Sequence, residues 1–187
     1  MKRLNEILVL VMFVLLFLVS YKLDDSVSVF FKGANFPFFN VILSIITNFG
    51  VVIVIALIAP SLVLYKKNKK IVYLLLSAFF ISTTLAFILK LIVLRQRPIE
   101  AFTYPFINII NYSFPSMHAM AVFSLLPILV RNMQKQNLFW FIFAFLVAFS
   151  RVYFGFHFLS DVVFGAFAGY FIGSYLLELY GKGKMWL

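Results

Sequence analysis

Two histidines occur in the chain, His118 and His157, and each sits among other polar residues. His157 follows Arg151 by six residues and precedes Asp161 by four. If that turn is helical, His157 and Asp161 share a face. A carboxylate bonded to one ring nitrogen fixes the tautomer and makes the other nitrogen more basic, as a nucleophile or base requires. The alternative is a purely structural His–Asp hydrogen bond. His118 closes the run Pro115-Ser116-Met117-His118, directly before an apolar stretch. Ser116 is suited to cap a helix there, leaving the following amides pointing outward, and such a helix start favours a bound phosphate. A simple cap beside an interfacial histidine is the plainer reading. Lys90 and Arg97 are seven residues apart, two helical turns, so both are expected on one face of a helix end that Pro98 then discourages from continuing. Here the plainer reading is a snorkelling lysine and an anchoring arginine.

The elements that must position these residues are membrane spans. The 187 residues are 64% apolar and 12% charged, with a mean hydropathy of +1.06. A soluble domain is roughly 45–50% apolar and about 25% charged, and a globule of this length could not hide so much apolar surface. About 120 apolar residues at roughly 20 per span leave room for six spans. The expected fold class is therefore all-α, an integral membrane bundle of six transmembrane helices forming a single domain over residues 1–187. The spans are expected at Ile7–Val19, Val41–Tyr65, Ile71–Leu94, Ser116–Val130, Leu138–Ser150 and Val162–Tyr180. Phe17–Ser20 offers no small-x-small cleavage site, so the first apolar run is expected as a retained span. Tyr21–Phe39 mixes Asp24, Asp25 and Lys32 with five phenylalanines and is expected to form an interfacial segment after that span. Gly165, Gly169 and Gly173 form a stripe along the sixth span that allows close helix packing.

Basic residues set the expected sidedness. With a cytoplasmic N-terminus, ten Lys and Arg fall inside, including Lys66, Lys67, Lys69 and Lys70, which would meet anionic lipid headgroups; six fall outside. Both termini are then cytoplasmic, and both histidines lie at outer span ends with Lys90, Arg97 and Arg151. The net charge of +10 in so apolar a chain points away from nucleic acid as a partner. The absence of cysteine removes thiolate chemistry and disulfides. Zinc on two histidines and Asp161 would be opposed by three nearby cations, and bis-histidine haem ligation would give the arginines no role. The cluster suits a multiply charged anion, above all phosphate.

Lys90-x6-Arg97-Pro98, Pro115-Ser116-x-His118 and Ser150-Arg151-x5-His157-x3-Asp161 together resemble the three-part signature of the type 2 phosphatidic acid phosphatases, in order and in spacing. The chain departs from that pattern at Met117, where the family usually has glycine, which bears on the shape of the pocket rim. The resemblance implies that His157 is the nucleophile, that Asp161 orients it and that His118 protonates the leaving oxygen. It implies that Lys90, Arg97, Ser116, Arg151 and the Met117 amide bind the substrate phosphate, with no cofactor and no metal.

The implied activity is a metal-independent phosphatase acting through a phosphohistidine on lipid phosphates or diphosphates at the outer surface of a bacterial inner membrane. Undecaprenyl diphosphate and lipid A 1-phosphate lead as substrates, with phosphatidylglycerophosphate and phosphatidic acid behind. The connection Ile99–Phe114 carries one charge, Glu100, among aromatic residues, and is expected to form a greasy rim for a long chain. From another class, an anion channel or transporter could use the same cations and helix start, but it would leave the His157–Asp161 spacing unused.

Overall fold

The computed structural model describes residues 2–33, 36–98 and 112–183. All regular elements among them are helical. The proposed greasy rim, apart from Tyr112–Phe114, lies outside the described residues.

Helix α1 (Lys2–Lys32) has 31 residues. The expected change to an interfacial segment at Tyr21 does not occur: Tyr21–Lys32 continue the same helix. The reason lies in a seam. Phe13, Phe17, Ser20, Asp24, Val27 and Phe31 alternate four and three residues apart and are all at least half-buried, whereas Lys22 and Asp25 fall off the seam and are exposed. Phe13 stacks on Phe167 at 4.1 Å between centroids, and Phe17 meets Phe164 edge-on at 6.1 Å. Between Ile7 and Val19 the positions off this seam are exposed apolar residues fit for lipid.

The expected second span is two helices, α2 (Pro37–Ile46) and α3 (Phe49–Tyr65), bent by 58° at Thr47–Asn48. Asn48 explains the restart, since its side-chain oxygen accepts from the backbone N–H groups of Gly50 at 2.9 Å and Val51 at 3.3 Å. Within α3, Val54–Ile58 widen into a π turn just before Pro60, which has no N–H to give the ladder. Helix α4 (Lys69–Val93) starts on the Asn68 cap and stops at Leu94, whose φ of 50° is left-handed. Helices α5 (Met117–Asn132), α6 (Asn137–Tyr153) and α7 (Leu159–Gly181) complete the bundle.

Helices α1, α4, α6 and α7 are each long and apolar enough to cross a membrane, α6 together with the 3-10 turn at Gln134–Gln136, and the bent α2–α3 pair makes a fifth candidate. Helix α5 has only 16 residues, against roughly 20 for a span. It is the centre of the bundle, packed by α4, α6 and α7. Its residues are buried on nearly every side, from Ala119 to Leu129, as expected of a helix apolar all round.

The glycine stripe binds α7 to this centre. A Cβ built on Gly169 would lie 2.3 Å from the Met120 carbonyl oxygen, and one on Gly173 would lie 2.0 Å from that of Ser124. Neither position can hold a side chain unless the helices part. Gly169→Ala should therefore lower the thermal unfolding midpoint in detergent, by an amount equivalent to about 1–3 kcal/mol. Gly181→Ala, where a Cβ meets nothing within 4 Å, should leave it unchanged. Equal midpoints for the two variants would show that the helices separate without cost.

Candidate active site

At one end of the bundle α4 and α6 finish, α5 and α7 begin, and α2 gives way to α3. A cavity of about 600 Å³ opens there, lined by Thr47, Asn48, Phe49, Phe87, Lys90, Arg97, Met117, His118, Arg151, Phe156 and His157. Six of the eight residues singled out from the sequence thus face one space. The other two, Ser116 and Asp161, are fully buried and stand behind it.

Lys90 and Arg97 reach the cavity by a different route from the one the spacing predicts. The helix ends at Val93, so the two do not share a helical face. Lys90 is buried on the last turn of α4, and its ammonium donates to the carbonyl oxygens of Tyr112 and, at 3.4 Å, Ser113. Arg97 comes from the extended segment beyond and donates to the Phe156 carbonyl at 2.9 Å. The Ser113 N–H, donating to the Arg95 carbonyl at 2.7 Å, ties this segment to the approach to α5.

Ser116 caps α5 as expected, its hydroxyl accepting from the Ala119 N–H at 3.5 Å. Its own N–H donates to the Asp161 carbonyl at 3.1 Å, which joins the starts of α5 and α7. Met117 and His118 follow in the first turn. The His118 imidazole lies edge-on to the Phe49 ring, with centroids 4.7 Å apart, and its Nε2 is buried without a hydrogen-bond partner. Arg151, on the last turn of α6, donates to the Thr47 hydroxyl and carbonyl across the break between α2 and α3, and stacks over Phe156 at 4.4 Å.

His157 and Asp161 do not share a helical face, because His157 precedes α7 and Asp161 sits in its first turn. They meet nonetheless. Asp161 Oδ2 accepts the Phe158 N–H at 2.9 Å, which caps the helix, and stands 3.7 Å from His157 Nδ1, close enough for electrostatic attraction but long for a hydrogen bond. Burial holds the His157 pKa well below the usual histidine range, and the nearby cations Lys90, Arg151 and Arg97 push it the same way. The resting imidazole is neutral, with a lone pair to offer.

Sequence reasoning missed four participants: Arg95, Ser160, Asp24 and Thr47. Arg95 donates to Asp161 Oδ1, to the Ser160 hydroxyl and to Asp24 Oδ2, each at 2.7 Å. Asp24 also accepts the Ser160 N–H at 2.8 Å. Thr47 holds Arg151. The pattern held two signals for them: Asp24 falls on the buried seam of α1, and Asn48 followed by Gly50 marks a helix restart.

The neutral state of His157 has a measurable consequence. An unfolded histidine titrates near 6.5, so below that pH the unfolded chain binds a proton that the folded site refuses. His157 therefore costs no stability above the unfolded pKa and lowers stability as the pH falls through it. In ¹⁵N-histidine NMR spectra, assigned with single-site variants, the His157 signal should stay neutral at pH 6. Protonation there with the usual midpoint would contradict the site's electrostatics.

Comparison with known proteins gives the chain a family. Residues 70–184 match the profile of the PAP2 superfamily. The chain is 30% identical over 168 residues to the lipid A 4'-phosphatase of Bacteroides thetaiotaomicron, covering 81% of this chain and 74% of that protein. It is 28% identical over 123 residues to the undecaprenyl-diphosphatase of Sulfolobus acidocaldarius, covering 64% of this chain and 58% of that protein's length. The fold superposes on the crystal structure of a transmembrane PAP2-type phosphatidylglycerolphosphate phosphatase from Bacillus subtilis with a TM-score of 0.70, at 24% identity and over 95% of this chain and 98% of that one. With its matched profile, its apolar helices and its phosphatase relatives, the chain belongs to the PAP2 superfamily and is a membrane phosphatase.

Proposed function

We propose that the protein removes phosphate from a membrane lipid phosphate or diphosphate through a phosphohistidine, without a metal. The observation that carries this reading is the convergence of His118, His157, Lys90, Arg97 and Arg151 on one cavity. In the first step the bare nitrogen of His157 attacks phosphorus while the bond to the lipid oxygen breaks, and His118 gives that oxygen its proton. Asp161 stabilises the ring as it loses its lone pair. An arriving phosphate brings the counter-charge that lets an imidazole among three cations hold a proton. In the second step His118, now neutral, takes a proton from water, whose oxygen displaces His157 from phosphorus and releases inorganic phosphate. Lys90, Arg97, Arg151 and the Met117 amide face the phosphoryl oxygens, where transfer needs positioning and charge balance more than new covalent chemistry. Ser116 acts by holding the start of α5.

Undecaprenyl diphosphate and lipid A 1-phosphate are the leading substrates. An undecaprenyl-diphosphatase among the relatives supports the first, a lipid A phosphatase named for the 4' position supports the lipid and not the 1-position of the second, and the cavity walls include Phe49, Phe87 and Phe156. Phosphatidylglycerophosphate and phosphatidic acid rank behind them. The chain forms one domain of six spans in a bacterial inner membrane, counting α2–α3 as one crossing and α5 as another. Both termini are cytoplasmic, Lys66–Lys70 lie against anionic headgroups, and the cavity faces outward.

Rapid acid quench with labelled substrate, across a purified panel of these lipids, tests the chemistry. His157→Ala should abolish turnover and protein labelling together. His118→Ala should cost about 10²–10⁴-fold with a lipid leaving group and less with an activated aryl phosphate, whose oxygen leaves without a proton. Wild-type turnover should persist in excess chelator. A label on His118, or chelator-sensitive turnover restored by a divalent metal, contradicts the mechanism.

Topology is tested with single cysteines, since the chain has none of its own. An impermeant thiol reagent on intact cells should label Lys32→Cys, at the outer end of α1, and spare Lys67→Cys. The opposite pattern reverses the sidedness.

A further inference from the structure

The Arg95 guanidinium lies between two buried carboxylates from different helices. Its NH1 donates to Asp161 Oδ1 and its NH2 to Asp24 Oδ2, both at 2.7 Å. The Phe158 ring faces it at 4.0 Å and the Tyr21 ring at 5.5 Å, which fixes its plane. Both oxygens of Asp24 are engaged: Oδ1 takes the Ser160 N–H, and Oδ2 takes the Ser160 hydroxyl and Arg95. Asp24 is 3% exposed although it sits on α1, outside the residues that match the family profile.

We propose that Asp24, Arg95 and Ser160 are positioning residues through which helix α1 sets the orientation of Asp161 and thereby selects the nitrogen of His157 that carries the proton. The inference rests on the reading of His157 as nucleophile. Arg95 occupies Asp161 Oδ1, so the carboxylate turns its other oxygen towards His157 Nδ1. Ser160 precedes Asp161 by one residue, and Asp24 pins it at both backbone and side chain. The charge count matters as well. Two carboxylates and one guanidinium leave a single negative charge beside His157, which favours a proton on Nδ1 and leaves the other nitrogen bare. Without Arg95, two buried carboxylates would stand near one another with no cation between them, which disfavours both being charged. Without Asp24, the guanidinium would neutralise Asp161 alone and weaken its pull on the ring. Only a planar fork spans both partners, so lysine cannot replace Arg95.

The test uses the full-length protein in detergent and the variants Asp24→Asn and Arg95→Lys. In Asp24→Asn the amide oxygen would still accept the Ser160 N–H while the charge is lost, so the fold should survive. Each variant should lower kcat by about ten- to a hundredfold, the range typical of groups that orient the ligands of a metal site from one shell further out, with KM within about twofold. The ¹⁵N signals of resting His157 should shift towards the other tautomer. Unchanged His157 signals in either variant that folds, with kcat falling only in step with thermal stability, overturn the proposal. Failure of the wild type to form phosphohistidine would instead sink the functional reading, because the tautomer is read in the resting protein.

Discussion

The distance between α5 and α7 governs the rest of the structure. At Gly165, Gly169 and Gly173 the backbones approach until the nearest α5 carbonyl oxygens occupy the space a methyl group would need. Because α5 and α7 both begin at the same end of the bundle, this contact sets Ser116 against Asp161 and brings the two histidine-bearing segments to one cavity. Both helices turn their positive ends towards that cavity, which adds a fixed field favouring anions. A helix of 16 residues can serve as the central post because protein, and not lipid, surrounds it.

The cations around this post differ in the partners that the described residues give them. Lys90, Arg97 and Arg151 reach neutral oxygens: the Tyr112 and Ser113 carbonyls, the Phe156 carbonyl, and the Thr47 hydroxyl and carbonyl. Arg95 pairs with the carboxylates of Asp24 and Asp161. Burying charge in an apolar bundle is costly unless each group is met. The Asp24 and Asp161 carboxylates meet the cation behind the site, and neutral dipoles are among the partners of those that line it. Backbone oxygens orient a cation without cancelling its charge.

Much of the cavity lining is legible in the sequence because residue type and spacing carry it: His118, His157 and the three cations Lys90, Arg97 and Arg151 all line the cavity. The geometry behind the spacing is less so. Spacing alone puts Lys90 and Arg97 on one helical face, yet Leu94 ends the helix between them. It also gives His157 and Asp161 a shared helix face, yet a non-helical turn brings them together. In both pairs tertiary packing brings to one site residues that local periodicity would have placed there differently. Asp24 shows the opposite failure. The seam of α1 runs through it with unbroken spacing, but an acidic pair in an apolar stretch reads as the end of a span unless its partner is known. That partner, Arg95, is 71 residues away.

The bend at Thr47–Asn48 links shape to occupancy. Irregular backbone at membrane depth persists where protein satisfies it, and here the Arg151 guanidinium does so through NH1. A guanidinium carries N–H donors beyond NH1, so holding Thr47 does not by itself exclude an anion. The break between α2 and α3 and one wall of the cavity thus rest on the same side chain, and whatever displaces Thr47 displaces part of the cavity wall with it.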